Sequence, residues 1–399
     1  MAAAGKKAIF IIGAKRTPFC SYGGNFRELP ASYAFAAAAK DAIQSANLDP
    51  IYIDNTIVGN INFLSQCDGG KTPRYCGIYS GVPISSPALG VNKACGTGLQ
   101  AIISSAVDIL TGNSKISLAG GTELMSSLPM LVRNVRFGTA LGAPYLMEDH
   151  IKMLFPDSYT GMTMQNIAEN LAKKHGVTRE EVDEFALQSH LKWKSAQDAK
   201  IFKQELTSLT VTLKGKDIDV NEDQLPQPSL KTEDLSILPP LLKDGSIITP
   251  GNSYAPADGA AALLIASEGS VTSHNLRPLA RVAAWTCVGV DPVDTGIAAV
   301  PAVKKLLEDQ KLNVDDIDLF EINETFASQA LITAKLLKID LAKVNVSGGA
   351  LALGHPVSAT GARMATHLVH ELGRRNLKRG ISASSCGGGQ GIAVLLEKI

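Results

Sequence analysis

Residues 92–101 (NKACGTGLQA) place a thiol between small residues at the start of a predicted amphipathic helix. Free backbone N–H groups at a helix N-terminus lower the pKa of a thiol and can also hold an oxyanion. The glycines beside Cys95 allow a substrate to approach the backbone closely. We therefore predict that Cys95 is a nucleophile. A small buried cysteine ahead of a helix would fit this motif alone equally well.

Residues 347–363 (SGGALALGHPVSATGAR) hold His355 between a glycine and a proline, ahead of another helix rich in small residues. A rigidly held imidazole is what a general base or an oxyanion donor requires. A capping or packing histidine is the alternative. His367 and His370 lie on the predicted helix beside charged neighbours, and we expect both to be solvated.

Two further motifs are weaker alone. Residues 321–327 (EINETFA) put Asn323 beside Glu324 at the end of a predicted strand, where they could orient a water molecule or an imidazole. Residues 384–391 (SSCGGGQG) set Cys386 against three glycines, which offers a second thiol and backbone N–H groups. A phosphate loop is the alternative there, but the chain contains neither GxxxxGK[ST] nor a dinucleotide fingerprint.

Short β-branched runs alternate with alanine-rich stretches, which predicts an α/β fold. Strands are predicted at 8–13, 53–60, 116–121, 279–284, 317–323 and 380–384, and helices at 31–46, 96–110, 299–310 and 361–372. Residues 47–61 and 311–324 both read as a helix exit, an acidic turn and a buried strand. This similarity indicates an internal duplication with two βαβ-type halves.

The predicted organisation has four parts. The N-terminal half spans 1–121, an inserted substrate-facing subdomain spans 122–250, a return strand spans 251–275, and the C-terminal half spans 276–399. The insert is distinguished by its methionines, a charged helix and a polar segment.

Composition excludes several classes of protein. The formal net charge is zero, so nucleic acid and anionic membrane surfaces are not expected partners. The six cysteines form no CxxC pair, which argues against a metal site and a disulfide scaffold. We find no apolar run of bilayer length. The first 27 residues contain five Lys or Arg and no acidic residue, as in a mitochondrial targeting region, or simply a first strand and its loop.

Taken together the motifs resemble the thiolase family over essentially the whole chain. The resemblance extends to residues 11–19, 120–126, 133–142, 168–176, 258–267 and 348–356. Residues 133–139 (RNVRFGT) and 387–394 (GGGQGIAV) most resemble the mitochondrial 3-ketoacyl-CoA thiolases of fatty-acid oxidation.

The resemblance implies a layered α/β/α/β/α fold and thiolytic cleavage of 3-ketoacyl-CoA. In it, Cys95 would attack the keto carbon and His355 would take the thiol proton and help bind the thioester oxygen. Asn323 would position a water. Cys386 would serve as the second, proton-exchanging cysteine, and the backbone N–H groups of Cys95 and Gly388 would hold the oxygen of the acyl-enzyme.

The resemblance further implies that CoA and acyl-CoA thioesters bind as substrates, with no metal and no cofactor, to a homodimer or homotetramer. A mitochondrial matrix location is implied, with the cytoplasm as the alternative. Ser253 and Tyr254 fall where the family lines the pantetheine channel, usually with a serine at position 254. Ser385 occupies the usual place of the second cysteine, so either Ser385 or Cys386 could face the site.

These departures leave a second reading open, in which the chain is an impaired or non-catalytic thiolase-fold protein that binds acyl-CoA. A decarboxylating condensing enzyme on the same fold is a third, which the thiolase-type loop at His355 disfavours.

Overall fold

The computed structural model describes residues 8–62, 68–153 and 156–399. Residues 1–7, which carry part of the basic N-terminal bias, and Cys67 lie outside the described residues.

Most of the strands belong to one mixed sheet. In chain order they are β1 (Ile9–Arg16), β2 (Cys20–Ser21), β3 (Asn55–Gly59), β4 (Ala88–Val91), β5 (Ile116–Leu124), β6 (Met130–Leu131), β7 (Glu148–Asp149), β8 (Leu209–Leu213), β9 (Lys216–Val220), β10 (Ala257–Ser267), β11 (Ala280–Gly289), β12 (Leu319–Ile322), β13 (Arg379–Cys386) and β14 (Gln390–Lys398).

Helices cover both faces of that sheet. They are α1 (Ala31–Ser45), α2 (Thr72–Tyr79), α3 (Thr97–Thr111), α4 (His150–Met153), α5 (Met164–Lys174), α6 (Arg179–Asp198), α7 (Thr232–Ser236), α8 (Glu268–Ser273), α9 (Ala299–Gln310), α10 (Ala327–Leu337), α11 (Ala350–Leu353) and α12 (Val357–Arg375).

The sheet consists of two halves with the same topology. The shared part runs β3-β5-β10-β1 in the N-terminal half and β12-β13-β14-β11 in the C-terminal half, and β4 adds an edge strand beyond β3. In each half the first pair is parallel and the other two are antiparallel. The halves meet where β1 pairs with β11 at Phe10 and Ile11. The predicted duplication is therefore present in the fold.

Five layers follow from the way the apolar faces are buried. Helices α1 and α2 pack on the outer face of the N-terminal half. Helices α3 and α12 are buried between the two halves, in a cluster shared with β1, β5, β10 and β14. Helices α9 and α10 cover the outer face of the C-terminal half. The α/β fold with an α/β/α/β/α core is thus confirmed.

The middle layer corrects one expectation from the sequence. Residues Ala94–Thr111 are long and apolar enough to cross a membrane by length and composition. They form α3 and the turn before it, and α3 buries Leu99, Ile102 and Ala106 between the sheet halves. The apolar character of this segment therefore belongs to a core helix.

A close crossing of α3 and α12 brings their N-termini together. A Cβ on Gly98 would lie 2.3 Å from the Ala362 nitrogen, and one on Gly361 would lie 2.7 Å from the Leu99 nitrogen. Only glycine lets the two backbones approach this closely. Since Cys95 precedes α3 and His355 precedes α12, this crossing fixes the relation between the two loops.

The segment after α6 is anchored by a buried cluster of charges on Arg16. The Arg16 guanidinium donates to Glu205 and Asp223, each at 2.7 Å, and all three side chains are at most 1% exposed. Glu205 also contacts His367 Nδ1 at 2.7 Å, and the pair raises the pKa of His367 above its usual value. His367 is therefore buried, and His370 bonds the carbonyl of Ala14, so the expectation that both are solvated is wrong.

We expect Arg16→Met to destabilise the protein by about 3–5 kcal/mol, because two buried carboxylates lose their partner. The measurement is the midpoint of chemical denaturation, with limited proteolysis of residues 199–250 as a local readout. Arg281→Met is the matched control. It removes an ion pair to Glu397 at a residue 46% exposed, which is worth about 0–1 kcal/mol. Equal effects from the two variants would contradict the anchoring role.

The four-part division at 121, 250 and 275 remains a prediction. Residue 121 lies within β5, residue 250 lies in the loop that precedes β10, and residue 275 lies between α8 and β11.

Candidate active site

The Cys95 turn presents its thiol by local backbone geometry. Ala94 has φ +44°, a left-handed conformation that non-glycine residues seldom adopt. The Thr97 hydroxyl secures the turn by accepting from Lys93 N at 2.8 Å and donating to Ala94 O at 2.7 Å. Gly96 is the N-cap of α3 and makes no side-chain cap, and the N–H groups of Gly96 and Thr97 donate to Lys93 O and Ala94 O within the turn, each at 3.0 Å.

The Cys95 sulfur is half-buried and surrounded by hydrogen-bond donors. Burial raises its pKa to about 11, while the Thr325 hydroxyl and the backbone N–H groups of Cys95 and Gly387 act in the opposite direction. The effect of burial on the pKa of Cys95 is therefore larger than that of the hydrogen-bond donors, and Cys95 is a thiol at neutral pH. A neighbouring base must take its proton when it attacks.

His355 supplies a neutral imidazole with a free nitrogen. Nδ1 lies 2.6 Å from Thr360 Oγ1, and that hydroxyl donates to Pro356 O at 3.1 Å. Because the Thr360 hydrogen is already used, Nδ1 must be the donor and Nε2 carries the lone pair. Nε2 has no partner among the described residues. Burial, and then the charge of Arg363, lowers the pKa of His355 to about 3.

Asn323 and Thr325 form a relay towards Cys95. Asn323 Nδ2 donates to Thr325 Oγ1 at 3.1 Å and to Ser384 Oγ at 3.4 Å. The Thr325 hydroxyl in turn supports the Cys95 sulfur. Asn323 Oδ1 is buried and has no partner in the described part of the chain, so it is available to a water molecule or a ligand. The sequence motif predicted a role for Asn323 but not for Thr325. The one indication for Thr325 was its position two residues after Asn323 in the same motif.

Glu324 has a scaffolding position. Its carboxylate accepts from Ser189 Oγ at 2.8 Å, Asn345 Nδ2 at 2.6 Å and Leu351 N at 3.1 Å. These bonds tie α6 to the loop that leads into His355. The two residues of the predicted Asn-Glu pair therefore have different roles. Asn323 faces the Cys95 side, and Glu324 stabilises the surrounding loops.

The structure separates Ser385 from Cys386 by strand alternation, since neighbouring residues of β13 face opposite sides. The Ser385 hydroxyl donates to Gly296 O at 3.1 Å and accepts from Ala299 N at 3.0 Å, on the α9 side. Cys386 is fully buried in the central core, and a Cβ on Gly96 would lie 2.5 Å from its sulfur. Its thiol contacts Ser384 O at 3.6 Å. This placement argues against the predicted proton-exchange role of Cys386.

The backbone donor beside Cys95 also differs from the prediction by one residue. The N–H group within reach of the Cys95 sulfur is that of Gly387, and a Cβ there would lie 3.6 Å from Ala94 Cβ. A Cβ on Gly388 would meet nothing within 4 Å. Gly388, with φ +78°, serves the turn after β13. We therefore propose Gly387, in place of Gly388, as the second backbone donor.

Ser253 and Tyr254 lie on a loop between the Asn323 and His355 segments. The Ser253 hydroxyl donates to Thr249 O at 2.7 Å, so its hydrogen is used within its own turn. Tyr254 N donates to Thr325 O at 3.0 Å. The Tyr254 ring stands perpendicular to the His355 ring, with centroids 5.2 Å apart. Tyr254 is thus part of the site itself.

The assembled groups suit acyl transfer. A thiol sits at a helix start beside two backbone N–H donors. A neutral imidazole with a free lone pair packs against Tyr254, which also interacts with Cys95. Such a set can form a thioester, stabilise its oxygen and return the proton.

Comparison with known proteins agrees with this geometry. The description "Thiolase, N-terminal domain" matches residues 9–269 and "Thiolase, C-terminal domain" matches residues 276–398. The chain belongs to the thiolase family. The resemblance inferred from the sequence motifs is therefore confirmed.

The thiolase is 42% identical to "3-ketoacyl-CoA thiolase, mitochondrial" of Homo sapiens, over 98% of each chain. It is 39% identical to "Probable acetyl-CoA acyltransferase" of Staphylococcus aureus (strain COL), over 98% of this chain and 99% of that relative. The crystal structure of human mitochondrial 3-ketoacyl-CoA thiolase superimposes with a TM-score of 0.97 at 41% identity, covering 99% of this chain and 100% of that one.

We expect Thr325→Val to slow alkylation of Cys95 by iodoacetamide about tenfold at fixed pH, because a hydrogen bond to a charged group is worth about 1.5–3 kcal/mol. The pKa of Cys95 should rise further, which moves the alkylation profile to higher pH. The measurement is mass spectrometry of the Cys95 peptide against time. Thr325→Ser keeps the hydroxyl and is the matched control. Equal rates for the valine and serine variants would show that the hydroxyl does not support the thiolate.

Proposed function

We propose that this thiolase cleaves 3-ketoacyl-CoA with CoA to give acetyl-CoA and an acyl-CoA shortened by two carbons, as in fatty-acid β-oxidation. It is an acyl-CoA:acetyl-CoA C-acyltransferase. The observation that carries the proposal is the accessible Cys95 thiol at a helix start, with donors on its sulfur and His355 nearby. The names of the relatives support the same substrate class.

In the first half-reaction the Cys95 sulfur attacks the keto carbon and His355 Nε2 takes the thiol proton. Burial disfavours both a free thiolate and a free imidazolium, so proton transfer accompanies S–C bond formation. The protonated Nε2 and a water held at Asn323 Oδ1 then donate to the alkoxide that develops on the keto oxygen.

In the acyl-enzyme, the backbone N–H groups of Cys95 and Gly387 hold the oxygen of the thioester carbonyl. Both lie at the Cys95 sulfur and belong to rigid turns, so they cost little reorganisation when charge develops. CoA then attacks the thioester, and His355 returns the proton to Cys95.

CoA and acyl-CoA thioesters are the proposed ligands, and the human relative has been crystallised in complex with CoA. We also propose a homodimer or homotetramer in the mitochondrial matrix. Exposed apolar side chains between β6 and β7 support assembly, since such groups usually meet a partner; they are Phe137, Leu141, Tyr145, Leu146 and Met147. The relatives named mitochondrial support the location.

A second candidate, an acyl-CoA binder without turnover, is favoured by one specific observation. Ser385 holds the position of the second cysteine and its hydroxyl is committed to α9, while Cys386 is buried. If no other group replaces that thiol, Cys95 can still attack a bound thioester substrate, but the proton transfers needed for turnover are lost.

The deciding experiment follows CoA-dependent loss of acetoacetyl-CoA and of a longer 3-ketoacyl-CoA, with acetyl-CoA quantified as product. Turnover that requires added CoA supports the thiolase activity. CoA binding without product formation would replace it with the binding function.

A further inference from the structure

Tyr254 occupies the junction of the three loops that build the site. Its N–H donates to Thr325 O at 3.0 Å, and the next residue, Ala255, accepts from His355 N at 2.9 Å. The loop therefore bridges the Thr325 and His355 segments, which holds the ring rigidly. Phe326 packs perpendicular to the other side of the ring, with centroids 6.1 Å apart.

The Tyr254 hydroxyl is an acidic group of this site whose proton is not used in a hydrogen bond to the described residues. It makes no hydrogen bond with the described part of the chain, and it lies close enough to Cys95 for a thiolate there to raise its pKa. The competing groups are held by the backbone. The Ser385 hydroxyl bonds Gly296 and Ala299, and the Cys386 sulfur lies near Cys95 but is fully buried against the Gly96 N–H group.

We propose that the Tyr254 hydroxyl is the second proton-transfer group of this enzyme, in the place of the missing cysteine thiol. The proposal rests on the proposed thiolase function and deepens it. Tyr254 is thereby a catalytic residue that contacts the departing acetyl-CoA and the incoming CoA.

The step balances without a further reactant. When the C2–C3 bond breaks, its electron pair stays on the α-carbon of acetyl-CoA, and the Tyr254 O–H proton moves to that carbon. The phenolate then takes the thiol proton of CoA. The CoA sulfur attacks the acyl carbonyl, the S–C bond to Cys95 breaks, and Cys95 recovers its proton from His355.

The electrostatics fit this direction of transfer. Burial, and then the charge of Cys95, raises the pKa of Tyr254 above its usual value. A thioester enolate is a far stronger base than any phenolate, so donation to it remains downhill. A phenolate of raised pKa is also a strong enough base to deprotonate a thiol, whose ordinary pKa is about 8.5. Among the described residues, the titratable groups that interact with Tyr254 include Cys95 and His355.

The test compares Tyr254→Phe, which keeps the ring and loses the hydroxyl, with the parent and with Tyr52→Phe. Tyr52 is 48% exposed and packs on His274, away from the site. We expect Tyr254→Phe to lower kcat for CoA-dependent cleavage of acetoacetyl-CoA by about 10²–10⁴-fold. Alkylation of Cys95 by iodoacetamide at pH 9 and equilibrium binding of CoA should stay within about twofold, since the nucleophile and the ring remain.

Three outcomes would overturn the assignment. An active parent with an equally active Tyr254→Phe variant removes the hydroxyl from the mechanism while leaving the thiolase function intact. Higher activity in Tyr254→Ser than in the parent would make the ring an obstruction. A larger loss in Cys386→Ala than in Tyr254→Phe would return the role to Cys386. An inactive parent would instead reject the proposed function, and this inference with it.

Discussion

Cys95→Ala is expected to abolish acyl-enzyme formation and to lower CoA-dependent cleavage by at least about 10⁴-fold. The sulfur is the atom that carries the acyl group, and of the other described cysteines Cys20, Cys76 and Cys386 are buried while Cys287 lies on β11, outside the Cys95 turn. Alanine is tolerated at a helix start, so the fold should remain. The measurement is steady-state cleavage of acetoacetyl-CoA, with circular dichroism to verify folding.

Cys287→Ala is the matched control, because Cys287 is an exposed thiol on β11. It should leave cleavage within about twofold of the parent, as surface substitutions usually do. Cleavage by Cys95→Ala as fast as by the parent would refute the nucleophile assignment.

The second large effect is expected for His355→Asn, with kcat lower by about 10²–10⁴-fold. Asparagine keeps a polar side chain but has no lone pair able to take the Cys95 proton near neutral pH. Because the resting thiol has a pKa of about 11, the loss of the base should fall on the chemical step. At pH above that pKa the thiolate forms without help, so alkylation of Cys95 by iodoacetamide should there match the parent.

His274→Asn controls for a general effect of losing an imidazole, because His274 stacks on Tyr52 at 4.2 Å outside the site. A His355→Asn variant with normal kcat would exclude His355 as the base. Slower alkylation at high pH would instead indicate that the substitution disturbs Cys95 itself.

The features that could be predicted from the sequence are those that depend on short stretches of neighbouring residues. Helix α9 matches its predicted bounds, and the other predicted strands and helices of both halves lie within about five residues of the observed ones, whereas α2, α10, β4 and β14 were not predicted. Cys95 and His355 were identifiable because each lies beside glycine at a helix start. The structure brings them into one site through the close contact of Gly98 with Ala362. No local pattern reveals that contact.

The sequence could not predict which side chains face which side of β13. Ser385 and Cys386 are adjacent, and only the pairing of β13 with β14 decides that Cys386 enters the core. The same holds for His367, which reads as solvated from its charged neighbours but meets Glu205 from a distant segment. Thr325 and Tyr254 gain their roles from loops that meet only in three dimensions.

The most direct test of Cys95 as the acyl carrier is mass spectrometry of the protein after brief mixing with acetoacetyl-CoA, followed by peptide mapping. We expect an acetyl adduct on the Cys95 peptide that disappears when CoA is added and that Cys95→Ala lacks. Turnover without any adduct on Cys95, or an adduct on another residue that CoA discharges equally fast, would contradict it.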